Sequence, residues 1–564
     1  MTEIPQAIQD VKEQKQEPFY WLNENSKEFL RRGYLLEGVE PKQRVREIAE
    51  HAEDILGIDG FADKFYNYMS KGFYSLASPV WANFGYDRGL PISCFGSHIE
   101  DTMESILFTH AEVGEMTKLG GGTSAYFGDL RPRGSPITNN GKSNGSYSFT
   151  QLFDTVIDVV SQGETRRGHF AGYIDIEHDD LDEWLNIKTE GDKVQDMYYG
   201  VVIGDDWFKE MLDGDQEKRK KWAEVIEARI NLGVPYIIFR DNMNKGKPQV
   251  YKDKGYEIKA SNLCSEIALP AKADESFVCC LSSMNALHFD DWKDTDAVET
   301  LTYFLDAVME EFVQKADGIQ FMERPVKFAK RHRAIGIGVL GWHSYLQSKL
   351  IPFDSMEALQ ENNKVFKTIK EKSYKASEEL AEMFGEPEVL KGYGRRNTTT
   401  MSVAPTKSSS FILGQVSPSI EPLKANYFVR DGAKLKATQK NDFLKAILKA
   451  RGKDNRETWK SIAHKDGSVQ HLDCLSEEEK DVFRTFSEIP QMAVVKQAAQ
   501  RQQYIDQSQS LNLAIDPSNV DIKDINKLYV EAWKLGVKSL YYQHSVNAAQ
   551  KFSRDILECR VCEG

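Results

Sequence analysis

The sequence predicts a large α/β protein, and three observations carry that expectation. From Ser78 onward, short apolar runs alternate with glycine-rich turns, as in GGGTSAYFGDL, AGYIDIEHDDL, VPYIIFRDN, AIGIGVLG and TTTMSVAPT. Segments of helical period lie between them: FTQLFDTVIDVV sets Phe149, Leu152, Phe153, Val156, Ile157 and Val160 on one stripe. Strands and helices in alternation favour parallel sheets with crossover helices. The chain is also long, 564 residues, enough for a multi-layer core or several domains.

The elements follow in order. The N-terminal stretch MTEIPQAIQDVKEQKQE is polar and acidic and lacks the apolar centre of a signal peptide. KQRVREIAEHAEDIL has the pattern of an amphipathic helix, so residues 1–75 are expected to form a helical region ahead of an α/β domain spanning 76–550. Two glycine- and asparagine-rich loops, TNNGKSNGS and SQGETRRGHFAG, flank the 149–160 helix. Residues 430–470 are lysine-rich and helical in pattern, which predicts a solvated charged face. DILECRVCEG follows a helix and closes the chain as a mobile tail, 551–564.

Composition narrows the function classes. Hydrophobic residues make up 41% and charged residues 28%, an ordinary globular mix, and no apolar run reaches the roughly 18 residues of a membrane span. A cytoplasmic protein with no membrane partner is expected. The formal net charge of −14 disfavours nucleic-acid binding, which needs a basic field. Small phosphorylated ligands remain open to it, through a helix N-terminus or glycine loop.

The 7 cysteines, an odd number in such a chain, argue against a disulfide framework. Cys280 and Cys474 are expected to be small buried hydrophobes. Cys559 and Cys562 form a CxxC two residues from the end, without the second pair that a zinc site requires. They are either an accessible dithiol for exchange or two idle thiols. Cys264 sits in SNLCSEIALP; on a strand, Asn262, Cys264 and Glu266 would share one face. That grouping of amide, thiol and carboxylate suits acid–base chemistry beside sulfur, though chance clustering gives the same pattern. Gly336, Gly338 and Gly341 have the GxGxxG form of a dinucleotide loop, but KFAKRHRA before them is too charged for a buried first strand.

SNLCSEIALP closely resembles the active-site finger of class I ribonucleotide reductase large subunits, whose core pattern is Asn-x-Cys-x-Glu. PISCFGSHIEDTMESI resembles the segment carrying the first redox cysteine, here Cys94, and FVCCLSSMNAL that of its partner, where the spacing to Asn285 selects Cys279. SLYYQHS resembles the paired-tyrosine radical relay, Tyr541 and Tyr542. YIDQSQSLNL, RHRAIGIGVLGW and the cysteine-paired tail match in the same order, so the resemblance spans about residues 45–564.

The resemblance implies a fold and a chemistry. The fold is a ten-stranded α/β barrel of two antiparallel five-stranded parallel halves, with a finger loop threading its centre. The reaction is reduction of ribonucleotides to 2′-deoxyribonucleotides by a cysteine thiyl radical. Cys264 would be that thiyl, Glu266 the general base for the 3′-OH and Asn262 the holder of the substrate hydroxyls. Cys94 and Cys279 would supply two electrons and close to a disulfide. Cys559 and Cys562 would reopen it and be reset by thioredoxin or glutaredoxin. Substrate contacts carry over to Ser78, Ser93, Gly122, Pro405, Thr406, Lys407, Ser408 and Ser409, with Ser78 standing where relatives often have threonine. An effector site for ATP or deoxynucleoside triphosphates, with Mg2+, carries over to Asp101, Thr102, Met103, Arg131 and Thr138. Arg166 and Arg167 in the second loop would reach substrate or effector, or stay solvated.

A radical arriving through tyrosines implies a separate small β subunit that bears a dimetal centre, so that this chain binds no metal. The active assembly would be α2β2 built on a homodimer. Only 77 residues precede Ser78, without a motif of the N-terminal ATP-cone found in many relatives, so on–off control through this chain is not expected. The alternatives are a cobalamin-dependent (class II) reductase, which would not need the tyrosine relay, and a nucleotide-binding paralogue without activity, against which the intact Asn262, Cys264, Glu266, Cys94 and Cys279 set argues.

Overall fold

The computed structural model describes residues 3–92, 94–162, 167–431, 436–516 and 520–545. Ser93, Arg166, the 551–564 segment and its Cys559 and Cys562 lie outside the described residues. The strands are β1 (Tyr74–Leu76), β2 (Cys94–His98), β3 (Thr123–Tyr126), β4 (Phe170–Asp175), β5 (Tyr198–Ile203), β6 (Tyr236–Phe239), β7 (Phe277–Asn285), β8 (Ile335–Leu340), β9 (Tyr427–Asp431), β10 (Lys436–Lys440), β11 (Leu513–Ile515), β12 (Ser539–Leu540) and β13 (Gln543–Ser545).

Strands β2 to β6 pair in sequence order and all in parallel. Their sequences explain this. YYGVVI in β5 and YIIF in β6 are apolar at nearly every position and buried throughout. Both faces of a parallel sheet are covered, so such strands lose the in–out alternation of a half-exposed sheet. The second set runs from β7 to β8 in parallel, then through single parallel bridges from Ile337 to Met401 and from Val403 to Gln509. It ends where β11 lies parallel to β13.

Two antiparallel seams join the sets. At one, β2 pairs with β7; at the other, β12 pairs with β6. The pairing path thus closes on itself: five parallel strands, a seam, five parallel strand-like segments, a seam. This is the barrel implied by the family resemblance. Helices cover its outside, among them Met103–Lys118, Ser146–Val159, Gln216–Leu232, Ala297–Ala316 and Met356–Phe384. The N-terminal helices Pro41–Leu56 and Phe61–Ser70 pack on Ala297–Ala316, and their apolar residues belong to the same core as the barrel. No helix among the described residues is long and apolar enough to cross a membrane.

Several local expectations need correction. The lysine-rich 430–470 segment is not helical throughout. It opens with the β9–β10 hairpin and continues as helices Asp442–Ala450 and Arg456–His464, whose Phe443, Leu444, Ile447, Trp459 and Ile462 build a second small core. Its lysines Lys445, Lys449 and Lys460 do face solvent. Cys474 is only half-buried, packed against the side of that small core, whereas Cys280 is fully buried. On the 146–159 helix, Phe153 and Ile157 are buried as the stripe predicts, but Leu152 is exposed, as is Val159 (73%).

The GxGxxG glycines serve packing. Gly336 and Gly338 lie inside β8, not in a loop after it. A Cβ on Gly336 would stand 2.5 Å from Leu281 Cδ2 and 2.6 Å from Ser402 Cβ; one on Gly338 would stand 2.8 Å from the Ser402 carbonyl oxygen. Gly341 has φ +73° and caps the helix Trp342–Ser348. The motif marks a close crossing of two barrel segments. Gly338→Ala is therefore expected to destabilise the protein by about 1–3 kcal/mol, the usual cost of overpacking against atoms that cannot rotate away. A lowered thermal midpoint checks this; an unchanged midpoint would remove the packing explanation.

Candidate active site

The finger sequence occupies the barrel as irregular backbone. Leu263 and Cys264 form a turn, Ser265 takes the left-handed conformation at φ +62°, and its amide donates to the Asn262 carbonyl (3.3 Å). The expected strand over 262–266 is thus absent, and the three side chains do not share a strand face. A turn forms because surrounding hydroxyls satisfy its peptide groups in place of a β-ladder. Carbonyl oxygens accept from Ser124 Oγ at Ser261 (2.8 Å), Tyr173 Oη at Asn262 (2.5 Å), Ser510 Oγ at Cys264 (2.6 Å), Ser539 Oγ at Ser265 (2.9 Å) and Ser402 Oγ at Glu266 (2.8 Å). These hydroxyls come from both halves of the barrel.

The turn still brings the key groups together. Asn262 accepts the Ile267 amide on Oδ1 (3.2 Å), which fixes its amide so that Nδ2 faces Cys94 Sγ at 3.7 Å. Glu266 is 1% exposed, and its Oε2 lies 3.1 Å from Ser510 Oγ, whose one proton it shares with the Cys264 carbonyl. Burial disfavours its ionised form and pushes its pKa up to about 7, while hydrogen bonds from its own backbone, Asn262 and Ser510 pull the other way. Cys264 is half-buried, so its surroundings leave it an open side.

Cys94 and Cys279 are direct partners across the antiparallel β2–β7 seam. Opposed residues in such a pair have Cα atoms about 4.5–5.5 Å apart, within the range a disulfide spans. Cys279 is buried; Cys94, at the mouth of its strand, is half-buried. Burial raises the Cys279 thiol well above its ordinary value.

Tyr541 and Tyr542 follow β12, and both are buried. Their ring centroids lie 4.3 Å apart, and two further tyrosines extend the cluster: Tyr236 is 4.8 Å from Tyr541 and 5.3 Å from Tyr542, and Tyr198 is 5.7 Å from Tyr542. Desolvation pushes the Tyr542 and Tyr236 phenols well above their ordinary range, and the Cys264 sulfur is near enough to add to both shifts.

The segments expected to bind nucleotides occupy two places. Gly122 bridges to Cys94, the strand partner of Cys279. Pro405 to Ser409 form the loop and first turn that leave the Met401–Val403 barrel segment, and Ser409 Oγ donates to the Leu76 carbonyl (3.4 Å), two residues from Ser78. Elsewhere, Thr102 caps the helix Met103–Lys118, and Asp101 accepts from the backbone (3.1 Å) and Nε (2.7 Å) of Arg131. Arg131 also donates to Pro136 O (3.0 Å), in the exposed turn that carries Thr138. Among the described residues, no three His, Cys, Asp or Glu side chains are grouped to hold a metal ion.

The residues that sequence reasoning missed are Ser510, Ser402, Ser124, Tyr173, Tyr236 and Gln507. Gln507 and Ser510 lie within YIDQSQSLNL, where the burial of a polar run was the signal to find them.

Comparison with known proteins agrees with this geometry. The model of the ribonucleotide reductase barrel domain matches residues 92–220, 215–392 and 387–543. The ribonucleoside-diphosphate reductase large subunit of Invertebrate iridescent virus 3 is 32% identical, covering 93% of this chain and 95% of its own. That of Vaccinia virus (strain Copenhagen) is 30% identical, over 85% of this chain and 71% of its own. The solved Actinobacillus ureae class Id ribonucleotide reductase alpha subunit is 60% identical, covers 94% of this chain and 98% of its own, and superposes with a TM-score of 0.90. With this barrel, and with large-subunit and class I alpha relatives along almost its whole length, the chain belongs to the ribonucleotide reductase large-subunit family, as a class I rather than a cobalamin-dependent catalytic subunit.

Proposed function

We propose that Cys264 is the sulfur that abstracts hydrogen from the ribose, in a reaction that turns ribonucleoside diphosphates into deoxyribonucleotides. The observation that carries this reading is the convergence on one buried turn of a half-open thiol, a carboxyl poised near neutrality and the Asn262 amide, beside the opposed Cys94 and Cys279. Removal of H from C3′ by a Cys264 thiyl weakens the neighbouring C2′–O bond. Glu266 takes the 3′-OH proton while the 2′-OH leaves as water. Cys94 and Cys279 give two electrons and two protons and close to a disulfide; one proton leaves in the water and the other becomes the new hydrogen on C2′, and Glu266 returns its proton to O3′ as the hydrogen returns from Cys264 to C3′. Cys559 and Cys562 are proposed to reopen the disulfide and to be reset by thioredoxin or glutaredoxin.

Class I α subunits work with a small β subunit, which supplies the oxidising equivalent. Tyr541 and Tyr542 are proposed to carry it to Cys264. The buried Tyr542 phenol holds its proton so firmly that it must lose proton and electron together, which suits transfer of a hydrogen atom to and from sulfur. Ser78, Ser93, Gly122 and Pro405–Ser409 are proposed to hold the substrate, and Asp101, Thr102, Met103, Arg131 and Thr138 a nucleoside triphosphate with Mg2+, in a cytoplasmic enzyme. A homodimer, completed to α2β2, is favoured by the apolar residues that the packed helices Met103–Lys118 and Ser146–Val159 leave exposed: Leu107 (52%), Val159 (73%), Met103 and Leu152.

Three outcomes follow. Cys264→Ser, assayed with the β subunit, is expected to yield no deoxynucleotide while nucleotide binding persists; normal yield would overturn the assignment. In wild type, kcat/KM is expected to fall on the acid side with an apparent pKa of about 7, as Glu266 becomes protonated. Ser510→Ala removes a donor that favours the carboxylate, so this limb should move to higher pH; a shift to lower pH would contradict the general-base role. Leu107→Asp with Val159→Asp should convert the dimer to monomer by sedimentation, and an unchanged dimer would place the interface elsewhere.

A further inference from the structure

The redox pair is asymmetric, and the asymmetry lies in one side chain. Gln507 is completely buried, and its Nε2 donates to Cys279 Sγ at 3.2 Å. Its orientation is fixed from both ends. Oε1 accepts from the Ala268 backbone amide (3.2 Å), a group that can only donate, and Nε2 also faces the Ile335 carbonyl oxygen (3.2 Å), a group that can only accept. Thr399 Oγ1, at 2.9 Å from Nε2, completes the set. An amide N–H is therefore held against one sulfur of the pair. At Cys94, the approach of Asn262 Nδ2 is longer, 3.7 Å, and Asn262 has the substrate hydroxyls to serve.

We propose that Gln507 fixes the direction of disulfide reopening: the incoming thiolate attacks Cys94 Sγ, and Cys279 departs as a thiolate stabilised by the Gln507 N–H. This rests on the reading of Cys94 and Cys279 as the redox pair. The step balances as thiol–disulfide exchange with a dithiol reductant. A bond forms between the attacking sulfur and Cys94 Sγ, the Cys94–Cys279 bond breaks, and its electron pair goes to Cys279. The second thiolate of the dithiol then attacks its own partner sulfur, releasing Cys94, and both cysteines take up protons.

Access and electrostatics agree on this direction. Attack runs along the S–S axis, so the sulfur that is struck must be open on its far side. Cys94 is half-buried, whereas Cys279 is 1% exposed, with Gln507 and the Cys280 carbonyl (3.9 Å) against its sulfur. Burial alone makes Cys279 a poor leaving group by raising its thiol; the Gln507 contact acts in the opposite sense. A leaving thiolate in a dry site needs a donor beside it, and only an orientation-locked amide supplies one without reorganisation.

The test uses full-length protein carrying Cys559→Ser and Cys562→Ser, so that only added thiol reacts. The protein is oxidised by one turnover with its β subunit, and peptide mapping establishes the 94–279 link. A monothiol, 2-mercaptoethanol, is then added, and free thiols are alkylated and mapped. The mixed disulfide is expected on Cys94 and the alkyl group on Cys279. Reduction by dithiothreitol is expected to be about ten- to a hundred-fold slower in Gln507→Glu and Gln507→Met, the loss of a hydrogen bond to a charged group. Gln507→Glu keeps the acceptor for Ala268 and so guards against a merely structural effect. A mixed disulfide on Cys279, or variants reduced at the wild-type rate, would overturn the proposal while leaving the redox pair intact. Failure of the 94–279 link to form after turnover would instead refute the redox pair, and the proposal with it.

Discussion

A turn of backbone inside a barrel has no water to bind its peptide groups, and each must find a partner or cost a few kcal/mol. That requirement organises the centre of this protein. The 261–266 carbonyls are met by Ser124, Tyr173, Ser402, Ser510 and Ser539, which stand on segments of both parallel halves. The barrel positions the finger through these hydroxyls, and the finger in turn ties the halves together across their interior. Ser510 shows how closely support and chemistry are joined: one hydroxyl lies between the Cys264 carbonyl and the Glu266 carboxyl.

The same dryness sets the chemistry. Desolvation penalises the charged form of every acid inside the barrel. It brings the Glu266 carboxyl to near neutrality, where it can accept and return a proton. It holds the Tyr542 and Tyr236 phenols in their protonated form. It also raises Cys279, which suits a thiol that must give up a hydrogen rather than sit as a reactive thiolate between turnovers. Three demands of the proposed radical reduction are met by one physical cause, burial inside one barrel.

Much of this was legible in the sequence, for reasons that can be named. Strands β4, β5, β6 and β8 read as continuous apolar runs because both their faces are covered. The 401–403 segment read so too, within TTTMSVAPT, whereas the 509–515 segment did not, because it carries polar residues that serve the finger. Gln507, Ser508, Gln509 and Ser510 have the composition of a surface loop, yet all are buried. The Asn-x-Cys-x-Glu pattern pointed to Asn262, Cys264 and Glu266 but misled on geometry, since a period of two implies a strand whereas Ser265 turns the chain at φ +62°. Tyr198 and Tyr236 are ordinary core aromatics by sequence, and only the fold sets them against Tyr542.

Lys538 shows how the two ends of the chemistry are held in register. Its ammonium is buried and donates to the carbonyls of Asp506 (2.9 Å), Gln507 (2.6 Å) and Gly246 (3.1 Å). Its own carbonyl accepts the Phe239 amide at the end of β6 (3.0 Å). A buried cation is tolerable here because a ring of carbonyl dipoles replaces its water, although burial still pulls its pKa down to about 7. The residue stands three positions before Tyr541 and grips the backbone of Gln507, whose amide touches Cys279. The strand that leads into the tyrosine pair and the segment that touches the Cys279 sulfur are therefore tied through one side chain. On the proposed reading, in which a radical goes to Cys264 and electrons come from Cys279, such a tie is useful, because hydrogen transfer tolerates little change in the distance between its partners.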